Sequence, residues 1–179
     1  MGKTIIITGS KGLIGKELTQ YLSNNFNIIE LDILLGHDLT NEEFVKQFFK
    51  KFQAEYLVNC FALNDHVREG EVRETNLFNI PLKTINTYLG VNTVALFSVS
   101  REFAKNKRAK SIINFASAYS LVAPNPLLYN GKEKNIAYVI SKACIPQLTR
   151  HLAVYLAPDI RVNCIVPHGI ENKQGVSFI

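Results

Sequence analysis

The chain has little of what marks secreted, membrane-spanning or metal-binding proteins. It has three cysteines in 179 residues, without zinc-type spacing and each within an apolar stretch, which predicts reduced core thiols and no metal site. No apolar run reaches the roughly 18 residues that a spanning helix needs, and the N-terminus shows no signal-peptide pattern. These absences predict a cytoplasmic protein that has no membrane partner.

A nucleic-acid signature is also lacking. Twenty Lys and Arg residues against 15 Asp and Glu give a net charge of +5, but the basic residues are spread along the chain and form no stripe interleaved with aromatics. We therefore expect no nucleic-acid partner, and a phosphate-bearing small molecule suits the excess charge equally well. The length and the 47% hydrophobic content predict one globular domain.

The N-terminal segment has the pattern of a buried strand, a glycine turn and the start of a helix. Three glycines follow the apolar run 4–8 at three-residue intervals. A Rossmann unit uses such glycines for a tight turn, for close approach to a pyrophosphate and for helix packing, and the helix amides then face the phosphates. Plain turns also contain glycine triplets, so the context decides. The predicted cofactor-binding residues here are Gly9, Ser10, Lys11, Gly12, Leu13, Ile14 and Gly15.

Asp32 closes the second predicted strand, 27–32, at the distance from the glycine turn where a carboxylate accepts the hydroxyls of an adenosine ribose. A 2′-phosphate would meet a like charge there, so the sequence favours NAD over NADP. Lys11 leaves three alternatives: it could lie near a 2′-phosphate, pair with Asp32, or remain solvated.

Five residues separate Asp32 from Asp38, too few for a helical crossover, so an outer βα unit is expected to be missing. Thr40 and Glu43 predict a capping box for the next helix. Further strands are predicted at 55–61, 111–116 and 160–166, and long helices at 82–106 and 137–156. This alternation predicts an α/β fold: a Rossmann-type, doubly wound parallel sheet of five to six strands in a three-layer αβα arrangement.

Two features remain that bear on chemistry. The charged loop 64–76 contains Asp65, His66 and Arg68, which either contact substrate or are simply solvated. Tyr138 and Lys142 lie four apart on the last long helix, so the ammonium can lie near the phenol, lower its pKa and make it a general acid-base. The same spacing also arises by chance on a lysine-bearing helix.

In order along the chain, these motifs resemble the short-chain dehydrogenase/reductase superfamily. The matching segments are Thr8-Gly9 to Gly15, Asp38-Leu39-Thr40, Leu57-Val58-Asn59, Asn92, Ser117, Tyr138 with Lys142, and Ile160 to Asn163. The resemblance implies NAD(P)-dependent hydride transfer between a nicotinamide and an alcohol or carbonyl of a small-molecule substrate. It adds Asp38, Leu39, Asn59, Tyr138, Lys142 and Pro167 to the cofactor-binding residues.

The resemblance also implies catalytic roles. Tyr138 would exchange a proton with the substrate, and Lys142 would hold the nicotinamide ribose and lower the Tyr138 pKa. Ser117 would bind the reacting oxygen, or would only cap a strand end. Asn92 would anchor a water of a proton relay, or would only hold a helix kink. Tyr129 is a poorer base than Tyr138 because Glu133 stands where its lysine would be.

Departures from the family pattern define further expectations. Cys60-Phe61-Ala62 replaces Asn-Ala-Gly, His168 separates Pro167 from Gly169, and the long spacing from Ser117 to Tyr138 implies an inserted loop around 127–135. The inserted loop, the shortened connection after Asp32 and the segment 157–174 resemble a bacterial subgroup of surface-sugar and flagellin modification (legionaminic-type), which implies an amino sugar or sugar nucleotide as substrate.

Members of the superfamily usually continue beyond the position of Gly169 with a substrate-covering segment. We therefore expect residues 1–179 to form a single NAD(P)-binding Rossmann domain without that C-terminal lid. The alternative is a truncated, catalytically impaired protein that binds a cofactor or a partner. The two long helices resemble the superfamily's interface helices, which predicts a homodimer or homotetramer.

Overall fold

The structure is a computed structural model and describes residues 2–64, 76–129 and 133–172. Within these residues the chain forms one parallel sheet of five strands, in the order β2-β1-β3-β4-β5. The strands are β1 (Thr4–Thr8), β2 (Asn27–Leu31), β3 (Tyr56–Asn59), β4 (Ser111–Phe115) and β5 (Arg161–Ile165). The predicted α/β class and parallel sheet are confirmed.

Helices connect the strands. They are α1 (Leu13–Leu22), α2 (Glu42–Lys51), α3 (Leu82–Leu89), α4 (Leu96–Ala104) and α5 (Ile136–Leu156). Short 3-10 turns lie at Ile33–Leu35, Ala118–Ser120 and Pro126–Tyr129. Because successive side chains of a strand point to opposite faces, the sheet separates two cores. Ile5 and Ile7 pack with the α1 side, whereas Ile6 packs with Val99 and Phe103 of α4.

The connection from β2 to α2 confirms that an outer βα unit is missing. Residues 32–41, all described, contain no regular element except one 3-10 turn. The predicted capping box is wrong, because Asn41 immediately precedes the helix and its side chain accepts from the Phe44 amide at 3.0 Å. The Thr40 hydroxyl donates instead to Asp38, at 2.6 Å.

The helix predicted at 82–106 is not continuous. A π-helical segment, Gly90–Ala95, joins α3 to α4. A continuous α-helix over 82–106 would place Val94 in its buried apolar stripe, yet Val94 is 62% exposed, whereas Asn92 is 2% exposed. A π segment is wider than an α-helical turn and changes which side chains face inward, so the stripe read at α-helical spacing fails there.

A buried polar ladder crosses the sheet near the carboxyl ends of its strands. The Thr8 hydroxyl donates to Asn59 at 3.1 Å, the Asn59 amide to Asn114 at 2.9 Å, and the Asn114 amide to Thr149 of α5 at 3.0 Å. All four residues are at most 5% exposed. Buried polar groups are costly unless paired, so this ladder fixes the ends of β1, β3 and β4 relative to α5.

Candidate functional site

A cleft of about 770 Å³ lies at the carboxyl ends of the strands, lined by the segments that follow β1 to β5 and by α5. Ligands of open parallel sheets bind at this edge, and the volume is that of a small-molecule site. The cleft therefore has both the position and the size expected for a nucleotide with its substrate.

The glycine turn forms one wall of the cleft. Gly9 has a φ of 65°, and a Cβ there would lie 2.5 Å from the Phe61 nitrogen. A Cβ on Gly15 would lie 2.1 Å from the Gly9 oxygen, so α1 begins directly against the turn. Gly9, Lys11, Gly12, Leu13 and Ile14 line the cleft. Ser10 and Gly15 are buried behind it and do not line it.

We expect Gly15→Ala to lower the free energy of unfolding by about 1–3 kcal/mol, because the added methyl has no space against the Gly9 carbonyl. The matched control is Gly90→Ala, a helical glycine whose added Cβ would meet nothing within 4 Å. It should raise that free energy by about 0.5–1 kcal/mol. Urea unfolding measures both changes, and effects of the same sign would contradict the packing argument.

Asp32 is fixed at the next wall of the cleft. Its carboxylate accepts the backbone amides of Lys11 and Leu34, each at 2.9 Å, and its side chain is 6% exposed. The Lys11 ammonium pairs with Glu30 at 2.6 Å, which lowers the pKa of the Glu30 carboxyl. The pair with Glu30 is none of the three alternatives that the sequence left for Lys11, which were a 2′-phosphate, Asp32 or solvent. Its side chain bonds a carboxylate within β2, and only its backbone amide contacts Asp32.

Asp38 and Leu39 line the cleft beyond Asp32, as expected for base contacts. The amide and hydroxyl of Thr40 donate to Asp38 at 2.9 and 2.6 Å and lower the pKa of its carboxyl. His37 lies beside them, stacked on Phe44 with the ring centroids 5.6 Å apart. Sequence reasoning did not single out His37, since no periodicity identifies a residue in a short connection.

Ser117, Tyr138 and Lys142 meet at the other end of the cleft. Ser117 follows β4, and its hydroxyl accepts the Tyr119 amide at 3.3 Å, which caps the 3-10 turn Ala118–Ser120. The Lys142 ammonium donates to the Phe115 carbonyl at 2.8 Å, and the residue is 4% exposed. This burial lowers the pKa of Lys142 to about 8.

The expected lowering of the Tyr138 pKa is not found in this structure. Burial raises the pKa of the phenol, and the nearby Ser117 hydroxyl lowers it by less. The Lys142 nitrogen lies 6.0 Å from the centroid of the Tyr138 ring and is bonded to the Phe115 carbonyl, so it does not offset the burial.

Besides Ser10 and Gly15, two more predicted site residues lie outside the cleft. Asn59 is 1% exposed and its side chain belongs to the polar ladder, and its cofactor-binding role stays a prediction. The Asn92 amide donates to the Leu63 carbonyl at 3.0 Å and to Ser141 at 2.9 Å, and its oxygen accepts the Leu63 amide at 2.6 Å. Asn92 thus joins the π segment to the end of β3 and to α5, and its water-anchoring role stays a prediction.

Pro167 lines the cleft, together with His168. The loop residues Asp65, His66 and Arg68 lie outside the described residues. Within the described ranges, His, Cys, Asp and Glu side chains form no group of three that could hold a metal ion. No helix in the same ranges is both long and apolar enough to cross a membrane.

The structure adds residues that the motifs did not indicate. The hydroxyls of Tyr119 and Tyr129 bond to each other within the cleft. Lys134 lies 4.3 Å from the centroid of the Tyr138 ring and donates to the Asn64 side chain at 2.8 Å. The sequence held one signal for Lys134: it precedes Tyr138 by four residues, as Lys142 follows it by four.

Comparisons with known proteins agree with this geometry. The model of the enoyl-(acyl carrier protein) reductase family matches residues 2–178. A short-chain dehydrogenase of Aspergillus ruber is 27% identical over 160 residues, and a dihydromonapterin reductase of Klebsiella pneumoniae is 27% identical over 99 residues. These matches cover 76% and 54% of the chain but 54% and 39% of the two relatives, so the chain spans about half or less of their length.

Among solved structures, the chain is similar to a short-chain dehydrogenase from Leptospira borgpetersenii with bound NAD+. The TM-score is 0.84 at 28% identity, and the match covers the whole chain and 76% of that protein. The fold, the family match and the arrangement of Ser117, Tyr138 and Lys142 indicate the same superfamily. The chain belongs to the enoyl-(acyl carrier protein) reductase family of the short-chain dehydrogenase/reductase superfamily.

Proposed function

We propose that the protein is an NAD(P)-dependent oxidoreductase that moves a hydride between a nicotinamide and an alcohol or carbonyl carbon. One observation carries the proposal: a single cleft has the glycine turn and Asp32 at one end and Ser117, Tyr138 and Lys142 at the other. One end of the cleft can therefore bind the nucleotide, and the other end can exchange a proton with a substrate bound beside it.

The residues present fit a dinucleotide. Gly9 and the first residues of α1, Leu13 and Ile14, would hold the phosphates, because they line the cleft and no acidic residue occupies the first turn of α1. The Asp32 carboxylate would hold the ribose. A carboxylate offers about four acceptor positions, and the amides of Lys11 and Leu34 take two, so two ribose hydroxyls can be accepted as well.

The bound nicotinamide would supply the hydride donor or acceptor. Tyr138 would carry the proton at its phenol oxygen, giving it to a carbonyl oxygen or taking it from a hydroxyl. Ser117, which lines the same cleft as Tyr138, would donate a hydrogen bond to the same substrate oxygen and orient it. Lys142 keeps a positive charge buried next to this site at neutral pH, which favours the phenolate whenever Tyr138 gives up its proton.

NAD is the proposed cofactor, with NADP disfavoured. We expect NADH to bind at least about tenfold more tightly than NADPH, because a 2′-phosphate would lie against the Asp32 carboxylate. Asp32→Asn should reduce this ratio, and the exposed Asp159→Asn should leave it unchanged. Fluorescence titration with both dinucleotides measures the ratio. Equal affinities for wild type, or tighter NADPH binding, would contradict the assignment.

An amino sugar or sugar nucleotide is the proposed substrate class, as in the subgroup that the sequence resembles. Supporting this are the hydroxyls of Ser117, Tyr119 and Tyr129 in the cleft, which suit a polyhydroxylated ligand. The test is the absorbance of NADH during incubation with NAD or NADH and a panel of such sugars and their oxo forms. NADH binding without turnover of any of them would favour a cofactor-binding protein that lacks catalysis.

A homodimer or homotetramer through the two long helical segments, α3 with α4 and α5, is proposed as well. Apolar side chains remain exposed on these helices: Phe97 is 39% exposed, Ile140 37% and Val154 75%. We expect sedimentation at micromolar concentration to give at least a dimer, and the double substitution Phe97→Arg and Val154→Arg to give a monomer. Leu121→Arg, at an exposed apolar residue outside these helices, is the control. A wild-type monomer would exclude the assembly.

A further inference from the structure

We propose that His37 is a positioning residue for the Asp32 carboxylate, and that it thereby sets the preference of the site for a ribose with a free 2′-hydroxyl. The inference rests on the proposed function, since it takes Asp32 as the group that holds the adenosine ribose. It adds to that function a residue of the short connection after β2, which no motif of the chain indicated.

His37 is hydrogen-bonded to both backbone polar groups of Asp32. The His37 amide donates to the Asp32 carbonyl at 3.1 Å, and the Asp32 amide donates to Nδ1 of His37 at 3.4 Å. Gly36 allows the chain to return in this way, because its φ of 82° lies in the left-handed region. Asp32 is 6% exposed, and a buried amide is costly without a partner. His37 therefore supplies the acceptor that the chain needs where it leaves β2.

The turn closed by these two bonds contains an amide that orients the Asp32 carboxylate. Leu34 lies inside the turn and donates to one carboxylate oxygen at 2.9 Å, while the Lys11 amide donates to the other at 2.9 Å. Releasing His37 would loosen the 3-10 turn Ile33–Leu35 and move the Leu34 amide with it. The carboxylate would then keep only its contact with Lys11.

Helix α2 fixes the imidazole ring as well. The ring stacks on Phe44, with the ring centroids 5.6 Å apart and an angle of 18° between the planes. Phe44 lies in the first turn of α2 and packs against the core cluster that contains Val45 and Phe49. His37 therefore connects a core helix to the ribose-binding carboxylate, at the place where the outer βα unit is missing.

The position of the Asp32 carboxylate decides which ribose the site accepts. A carboxylate accepts hydrogen bonds from hydroxyls and repels a phosphate, so both NADH affinity and discrimination against NADPH depend on where it lies. A displaced carboxylate would lower the first and relax the second. Loss of His37 should therefore weaken NADH binding more than NADPH binding, which a general loss of stability would not do.

The test compares two substitutions that each keep one contact of the His37 side chain. His37→Asn keeps an acceptor oxygen near the position of Nδ1 and removes the ring, whereas His37→Phe keeps the stack on Phe44 and removes the acceptor. Fluorescence titration of the full chain gives the Kd of NADH and of NADPH. We expect His37→Phe to weaken NADH binding about 5- to 20-fold and NADPH binding less than about twofold. His37→Asn should stay within about threefold of wild type for both.

The matched control is His151→Phe, because His151 is exposed and stacks on Tyr155 outside the cleft. It should leave both affinities unchanged. Wild-type NADH affinity in His37→Phe would overturn the proposal, and so would an equal loss of NADH and NADPH binding, which indicates a structural role. A larger loss in His37→Asn than in His37→Phe would overturn it too, since the stack would then matter more than the acceptor.

A double variant tests whether His37 acts through Asp32. In the Asp32→Asn background, His37→Phe should weaken NADH binding less than about twofold, because the group that His37 positions has lost its charge. The same loss there as in the wild-type background would show that His37 contacts the nucleotide independently, contrary to the proposal.

Failure of the proposed function gives a different result. If wild type binds neither dinucleotide, the proposed function is removed, and the bracing of Asp32 is then tested by itself. NMR of the histidine ring nitrogens, without cofactor, reports which nitrogen carries the proton. A neutral His37 ring whose Nδ1 accepts the Asp32 amide carries its proton on Nε2 alone, whereas the exposed His151 exchanges between both forms. A single Nε2 form at His37 would support the bracing, and a mixture like that of His151 would overturn it.

Discussion

Tyr138→Phe is expected to lower kcat by about 10²- to 10⁴-fold, the range that a positioned general acid-base contributes. The substitution removes the phenol oxygen and keeps the ring, so Lys134 retains its aromatic neighbour. NADH affinity should change little, because Asp32 and the glycine turn are untouched. The measurement is NADH absorbance with a substrate from the sugar panel, together with NADH fluorescence titration.

The matched control lies on the same helix. Tyr155 of α5 is 74% exposed, and Tyr155→Phe should leave kcat unchanged. Thermal unfolding of each variant separates a folding defect from a chemical one. Full turnover in Tyr138→Phe would exclude Tyr138 as the proton carrier.

Lys142→Met has the second large effect, and stability and activity should change in opposite directions. The wild-type ammonium is buried, and the fall of its pKa from 10.5 to about 8 corresponds to about 3 kcal/mol against the charged form in the fold. Removing the charge should raise the free energy of unfolding at pH 7 by up to this amount, less the contribution of the bond to the Phe115 carbonyl. Activity should be lost.

The pH dependence of wild-type stability tests independently whether the buried Lys142 charge destabilises the fold. Above pH 8 the folded protein loses the Lys142 proton while the unfolded chain keeps it until about pH 10.5, so wild-type stability should rise with pH from about 8. Burial raises the pKa of the Cys60 thiol from 9.0 to about 12, so above pH 9 this thiol acts in the opposite direction. Between pH 8 and 9, the change in stability therefore reflects Lys142 before Cys60 contributes.

Urea unfolding across that window, without nucleotide, is the measurement. The difference between wild type and Lys142→Met cancels the Cys60 contribution to first order. Lys110→Met, an exposed lysine, should reproduce the wild-type slope. A Lys142→Met protein that is less stable than wild type at pH 7 would show that the ammonium stabilises the fold, contrary to this account.

Local patterns predicted the elements that propensity and spacing control. The strand Thr4–Thr8 has the predicted bounds, the helix Leu13–Leu22 begins after the glycine turn as predicted, and the short connection after Asp32 indicated the missing βα unit. The cap of α2 was misassigned because Thr40 and Asn41 are both good cap residues. Which of the two directly precedes the first helical turn depends on how the chain leaves the sheet.

Side-chain partners were less predictable, because they depend on which strands are neighbours. The bonds of Asn59 were not predicted: β1 and β4 flank β3, so its amide meets Thr8 and Asn114 inside the sheet. Lys11 finds Glu30 for a similar reason, since β1 pairs with β2. Lys134 lay in a stretch with no periodicity, and only its spacing from Tyr138 pointed to it.

The π segment between α3 and α4 has a consequence for how this part of the chain tolerates change. Each residue advances an α-helix by about 100°, so the segment acts as a phase shift between two apolar stripes. It lets Asn92 face Leu63 and Ser141 while Val99 and Phe103 still face the sheet. Deleting one residue from Gly90–Ala95 would rotate one stripe out of place, whereas the same deletion in an exposed loop would not. Length, more than side-chain identity, is the property that this helix must keep.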